Sequence, residues 1–294
     1  MKVGYFADGK WGINSFQKLN EIENLSFEFI CGRYSLPDKD LRILADKHNI
    51  PFLTSNDINS KHFEDKFSKF ECDLFISMSF DQIMKENIFN LPKYGSINCH
   101  AGKLPSYRGR NVLNWVLIND EKDFGITVHF IDNGIDTGEI IKQRIFPIDD
   151  SDNYSTLLQK AHEECPKILF EAVKDIMENK VIKKAQESSS FPSMYCVKRG
   201  TGDELINWQE TSREIFNFVR ALTYPGPCAS TNFYDLKMQI IQVEYLPFAH
   251  KYKGIPGSVL SIDGDQFTVK TKDSYLKVVK WECDIKPKVG SRFL

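Results

Sequence analysis

Over its first eighty residues the chain alternates short apolar runs with amphipathic stretches, and this alternation narrows the possible architectures more than any other feature. Lys2–Ala7, Leu25–Cys31, Pro51–Leu53 and Cys72–Met78 read as strands. Trp11–Leu19, Asp38–His48 and Ser60–Phe70 have helical spacing, the second with Leu41, Ile43, Leu44 and Ala45 apolar. Strand–helix alternation predicts a mostly parallel sheet with helices on both faces, an α/β architecture of Rossmann-like type. Ligands of such sheets sit beyond the carboxyl ends of the strands. Those ends are Asp8-Gly9-Lys10, expected as a turn, Cys31-Gly32-Arg33 and Ser77-Met78-Ser79-Phe80. The first turn has no GxGxxG, so a dinucleotide cofactor has little support.

Further along, Gly95–Asn98 is expected as a strand ending at His100, and Asn111–Asn119 as a helix. Gly125–Asp132 and Glu139–Ile148 are expected as strands flanking a loop, and Ser155–Asn179 as a long helix. The polar stretch Lys183–Ser190 is the best linker candidate, giving a catalytic domain over 1–182 and a smaller domain over 183–294. A helix near Arg213–Leu222 and short β segments from Ala229 to Val279 make the second domain mainly β.

A formal net charge of -2 supplies no whole-molecule positive field for nucleic acid, which is not expected as a partner. No apolar run reaches membrane-spanning length, and Met1–Phe6 is too short an apolar stretch for a signal peptide, so a cytoplasmic location is expected. The seven cysteines are scattered without CxxC or zinc-like spacing; they read as reduced, mostly buried thiols, and no metal is expected.

The segment from Ser96 to Ile141 carries the chemistry. Asn98 and His100 are two apart at a strand end, so both point to one side. Cys99, between them, points to the opposite face, against a role as nucleophile. Asp136 arrives from a loop in which Gly134 and Gly138 let the backbone turn tightly. Acyl transfer to an amine calls for a base near neutrality, a neutral donor for the carbonyl oxygen and an anion for the imidazolium; His100, Asn98 and Asp136 fit these needs. The same residues also suit a hydrogen-bonded loop histidine and an Asx turn, and by themselves leave both readings open. A calcium loop fits poorly, because the ligand spacing and terminal Glu are missing. His129, between Val128 and Phe130, reads as structural, and Trp115 and Trp208 as core residues.

Ser96-Ile97-Asn98-Cys99-His100, then Leu104-Pro105-x-Tyr107-Arg108-Gly109, then Asp132-x-Gly134-x-Asp136-Thr137-Gly138 resemble the folate-dependent formyltransferases in order and spacing. The resemblance covers most of the first domain and only faintly the second. It implies N10-formyltetrahydrofolate as donor and Asn98, His100 and Asp136 as the catalytic set. It also implies a pterin held by backbone groups of Met78, Ser79 and Phe80 and of Asn133, Gly134 and Asp136.

Tyr107-Arg108-Gly109-Arg110-Asn111, Lys198-Arg199 and Tyr224-Pro225-Gly226-Pro227 look like the nucleotide-sugar branch of that family. The implied acceptor is an amino deoxysugar, 4-amino ahead of 3-amino, linked to a nucleoside diphosphate (dTDP or UDP) for surface polysaccharide synthesis. Arg33, Arg110 and Arg199 are expected near its phosphates, with Tyr107 and Tyr224 as further substrate contacts. A homodimer is expected. The alternatives are methionyl-tRNA formyltransferase, a non-catalytic binding module, and a hydrolase releasing formate from the same site.

Overall fold

The computed structural model describes residues 1–186 and 195–294. In the first part of the chain the elements are β1 (Lys2–Ala7), α1 (Gly9–Leu19), β2 (Ser26–Gly32), α2 (Lys39–Lys47), β3 (Phe52–Thr54), α3 (Lys61–Ser68), β4 (Leu74–Met78), α4 (Glu86–Phe89) and β5 (Ser96–His100). They continue with β6 (Arg108–Gly109), α5 (Val112–Ile118), β7 (Asp123–Phe130), β8 (Ile140–Pro147) and α6 (Tyr154–Met177). After these come β9 (Tyr195–Cys196), α7 (Ser212–Leu222), β10 (Ala229–Phe233), β11 (Leu236–Glu244), β12 (Val259–Asp263), β13 (Gln266–Lys270) and β14 (Tyr275–Glu282).

Among the described residues, seven strands form the first sheet in the order β3-β2-β1-β4-β5-β7-β8. β3, β2, β1, β4 and β5 pair in parallel, while β5 and β7 run antiparallel. This is the expected mostly parallel α/β sheet. Its central strands are buried on both faces, and a cluster of phenylalanines including Phe6, Phe29, Phe67 and Phe75 packs on one side. The local signals act as expected at α2, where the Asp38 carboxylate accepts the Leu41 N–H at 2.7 Å and caps the helix.

The Asp8-Gly9-Lys10 turn is a correction: α1 already begins at Gly9, which takes a φ of +59°. Glycine bears this left-handed angle without steric cost, so strand passes to helix through Asp8 alone.

The described residues divide into two compact units, which differ from a split at 182/183. The first holds Met1–Arg110, Phe124–Phe146 and Gln159–Cys196; the second holds Asn111–Asp123, Pro147–Leu158 and Val197–Leu294. The start of the polar stretch is bonded into the first unit. Ile140 and Lys184 exchange backbone hydrogen bonds, and the Gln186 amide bonds to the carbonyls of Asp136 and Gly138. The remainder of that stretch lies outside the described residues. Polarity marks a loop but does not report which backbone groups it serves.

The second unit contains an antiparallel sheet in the order β10-β11-β14-β13-β12, with α7 packed on it over a core that includes Trp208, Ile215, Val219, Phe233 and Phe293. A reciprocal Thr211/Glu214 capping box starts α7. Trp208 is a core residue as expected, 4% exposed. Trp115 is not wholly so: it is partly exposed, with the Arg199 guanidinium 5.2 Å from its ring centre. No helix among the described residues is long and apolar enough to cross a membrane. The cysteines are free, all but Cys283 buried.

Candidate active site

The site forms where β5 ends beside β7. Register pairs Asn98 with His129 and His100 with Thr127 across the two strands, so Asn98, His100 and His129 share one face. The loop after β7 then returns Asp136 onto that face. His100 Nδ1 lies 3.6 Å from Asp136 Oδ2, and Asn98 Nδ2 lies 3.5 Å from Asp136 Oδ1. Asn98 and His100 thus share a carboxylate that comes from 38 positions beyond Asn98. Cys99 faces away, its Sγ donating to the Cys165 carbonyl.

A carbonyl oxygen only accepts, so the 2.8 Å contact between His100 Nε2 and Tyr107 O places the proton of neutral His100 on Nε2. Nδ1 is then the basic nitrogen, and a proton gained there sits against Asp136. By the same reasoning His129 Nδ1 donates to Phe130 O at 2.7 Å, leaving Nε2 3.4 Å from both Asn98 Nδ2 and Asp136 Oδ1. Burial pushes the His100 pKa below the ordinary imidazole value, with Asp136 opposing that shift. Burial of Asp136 acts to raise its pKa. His100, His129 and the Gly109 N–H, which donates to Oδ2 at 2.8 Å, outweigh it and hold the carboxyl well below the usual range.

Two glycines make this packing possible. A Cβ on Gly102 would lie 2.2 Å from His100 Nε2 and 2.6 Å from Tyr107 O; one on Gly138 would lie 1.9 Å from Phe130 O. Asp136 itself is left-handed, with a φ of +53°.

Of the expected pterin-binding segments, Met78, Ser79 and Phe80 lie at the carboxyl end of β4, whereas Asn133, Gly134 and Asp136 follow antiparallel β7. Ser79 is exposed at a φ of +60°, Met78 is buried with its carbonyl accepting from Asp8 N–H, and Phe80 packs edge-on to Phe6. Asn133, Gly134 and Ile135 are exposed. The described residues contain no cluster of three His, Cys, Asp or Glu side chains placed to hold a metal ion.

The expected acceptor contacts fare differently from one another. Arg33 is clamped by Asp8 Oδ2 at 2.8 Å and Asp81 Oδ2 at 3.5 Å, so two carboxylates already balance its charge. Arg110 is exposed and donates to Asp81 O at 3.1 Å. Tyr107 is 4% exposed, and its carbonyl holds His100 Nε2. Arg199 and Tyr224 belong to the second unit. There Arg199 covers Trp115 and bonds to the Asp203 carbonyl, and Tyr224 is 51% exposed.

Sequence reasoning missed two neighbours of Asp136. His129 touches its carboxylate through the β5–β7 register, in which Asn98 and His129 are partners. Gln186 bonds to the Asp136 and Gly138 carbonyls at 2.9 and 2.8 Å, and lay hidden in the polar stretch.

Residues 32–173 match the family model described as formyl transferase, and residues 199–292 match the formyl transferase C-terminal domain. The chain is 35% identical over 240 residues to the bifunctional polymyxin resistance protein ArnA of Wigglesworthia glossinidia brevipalpis. That match takes in 81% of this chain but only 36% of the length of that protein. It is 30% identical over 245 residues to the methionyl-tRNA formyltransferase of Thermodesulfovibrio yellowstonii, covering 83% of this chain and 77% of the relative. Its fold is similar, with a TM-score of 0.70 and 22% identity, to the N-formyltransferase from Helicobacter canadensis in complex with folinic acid and dTDP-3-aminofucose. There 96% of this chain and 99% of the other are covered. Two matched domains and a site that joins an amide, an imidazole and a carboxylate at the end of β5 agree: the chain belongs to the folate-dependent formyltransferase family, enzymes of one-carbon transfer.

Proposed function

We propose that this enzyme moves the formyl group of N10-formyltetrahydrofolate to the amine of a nucleoside-diphosphate-linked amino deoxysugar. The observation that carries the acceptor is the end-to-end correspondence of fold with the Helicobacter canadensis enzyme, which extends through both domains. The formal charge of -2 agrees, since a chain gripping many phosphates of a nucleic acid gains from a basic field.

The donor brings an activated formyl carbon. His100 Nδ1 takes the proton of the attacking amine, because Nε2 is committed to Tyr107 O. Asn98 Nδ2 donates to the oxygen that becomes anionic at the tetrahedral stage; being neutral and fixed, it stabilises that charge without reorganising. Asp136, ionised far below neutrality, balances the imidazolium on His100, which gives its proton up to N10 as the formyl carbon–N10 bond breaks and tetrahydrofolate leaves. Ring position enters as a finer proposal, C4 ahead of C3, as do a homodimer, a cytoplasmic location and a product destined for surface polysaccharide.

The test is incubation with N10-formyltetrahydrofolate and dTDP- and UDP-linked 3-amino and 4-amino deoxysugars, read by mass spectrometry. A gain of one formyl group on a sugar nucleotide is expected. The second reading, methionyl-tRNA as acceptor, draws on the 30% identity to the Thermodesulfovibrio protein. Formylation of charged tRNA with none of the sugars touched overturns the acceptor proposed.

A further inference from the structure

We infer that Gln186 is a positioning residue which, braced by Arg108, holds the Asp136 loop in its working conformation. The Gln186 amide faces two ways. Its Oε1 accepts from Arg108 Nη2 at 2.6 Å and Nε at 3.2 Å, and its Nε2 donates to Asp136 O at 2.9 Å and Gly138 O at 2.8 Å. Guanidinium only donates and carbonyls only accept, so these four contacts admit one orientation of the amide. Arg108 is 8% exposed, and its guanidinium also reaches Tyr195 Oη at 3.4 Å and lies 5.7 Å from that ring.

The need for such a brace is local. Asp136 sits at a φ of +53°, a left-handed angle that a residue bearing a Cβ keeps only when its surroundings enforce it. Its carboxylate is oriented by the Gly109 N–H, and its peptide by Gln186. Arg108 lies between Tyr107, whose carbonyl anchors His100, and Gly109, whose N–H anchors Asp136. One three-residue segment therefore fixes the imidazole, the carboxylate and, through Gln186, the backbone that carries the carboxylate. Gln186 touches neither side chain of the His100–Asp136 pair and acts through the loop.

The experiment pairs Gln186→Ala with Gln186→Glu. The glutamate still accepts from Arg108 but donates to neither carbonyl, so a brace that works through donation fails in both. The first readout is the titration of His100 followed by NMR of histidine-labelled protein, assigned with His100→Asn. It needs no acceptor, so an error in the acceptor proposed above leaves it intact. His100 faces Asp136, the His129 ring and the Tyr107 carbonyl. A carboxylate that drifts away withdraws its attraction, and His100 titrates at lower pH in both variants while thermal unfolding shows both folded. The second readout is turnover: kcat falls about 10- to 100-fold, the loss expected from misplacing a catalytic group by roughly 1 Å, with KM for the folate little changed. Unaltered His100 titration and turnover in folded Gln186→Glu overturn the inference. So does Gln186→Glu matching the parent while Gln186→Ala alone is impaired, because side-chain bulk would then suffice.

Discussion

Gly102→Ala tests the geometry of the active site at one atom. The new Cβ falls 2.2 Å from His100 Nε2 and 2.6 Å from Tyr107 O, the two ends of a single hydrogen bond, while ordinary contact begins near 3.4 Å. The ring must therefore retreat by roughly 1.2 Å, or the Tyr107 carbonyl must swing away, and either breaks the bond that fixes the proton on Nε2. Overpacking of this kind costs about 1–3 kcal/mol of stability. The expected catalytic cost is larger: a displacement near 1 Å at the proposed base corresponds to about 100-fold in kcat. The assay is steady-state formyl transfer with the preferred acceptor, alongside urea unfolding. Gly264→Ala serves as the control, because that glycine sits at a φ of +61° with nothing within 4 Å of its Cβ; it should lose stability while keeping kcat. A Gly102→Ala enzyme with kcat within threefold of the parent refutes the reasoning.

Other expectations follow from the same charges and contacts. His100→Asn should abolish turnover while leaving the fold intact by circular dichroism. The acid limb of kcat/KM should lie below pH 6.5, since burial depresses His100, and Asp136→Asn should move any residual limb lower still because it removes the attraction opposing that shift. For folding the sign is the same: neutral His100 contributes stability fully present above pH 6.5 and lost as pH falls through its depressed folded pKa, measurable as a loss of Tm on acidification that His100→Asn lacks. In the second unit, Lys270 is fully buried, donating to Thr271 O at 2.6 Å and Ser274 O at 3.0 Å beside the Tyr252 ring. Lys270→Ala should cost about 2–4 kcal/mol in urea unfolding, from a cavity and the loss of a donor to Thr271 O, while Ser274 O keeps the Thr271 N–H.

Much of the fold was legible before any coordinates. Strand and helix spacing follow local periodicity, so β1 to β5 and α1 to α3 lie where the apolar residues recur, with ends moved by a residue or two. The i, i+2 rule put Asn98 and His100 on one face and Cys99 on the other, because that geometry belongs to a single strand. The start of α1 departed from expectation because a glycine at +59° let the helix begin a residue after the strand ended.

What the sequence could not determine were the relations between segments. His129 meets Asp136 only through the β5–β7 register, in which Asn98 and His129 are partners. Gln186 reaches the Asp136 carbonyl from 50 positions away, and Arg108 reaches Gln186 from 78. Arg33 looked free to meet phosphate until strands β1 and β4 delivered Asp8 and Asp81 to either side of it. Local pattern decides which way a side chain leaves its own backbone; whom it meets there depends on strand order, register and loop path, and those are settled only when the sheet closes on its core.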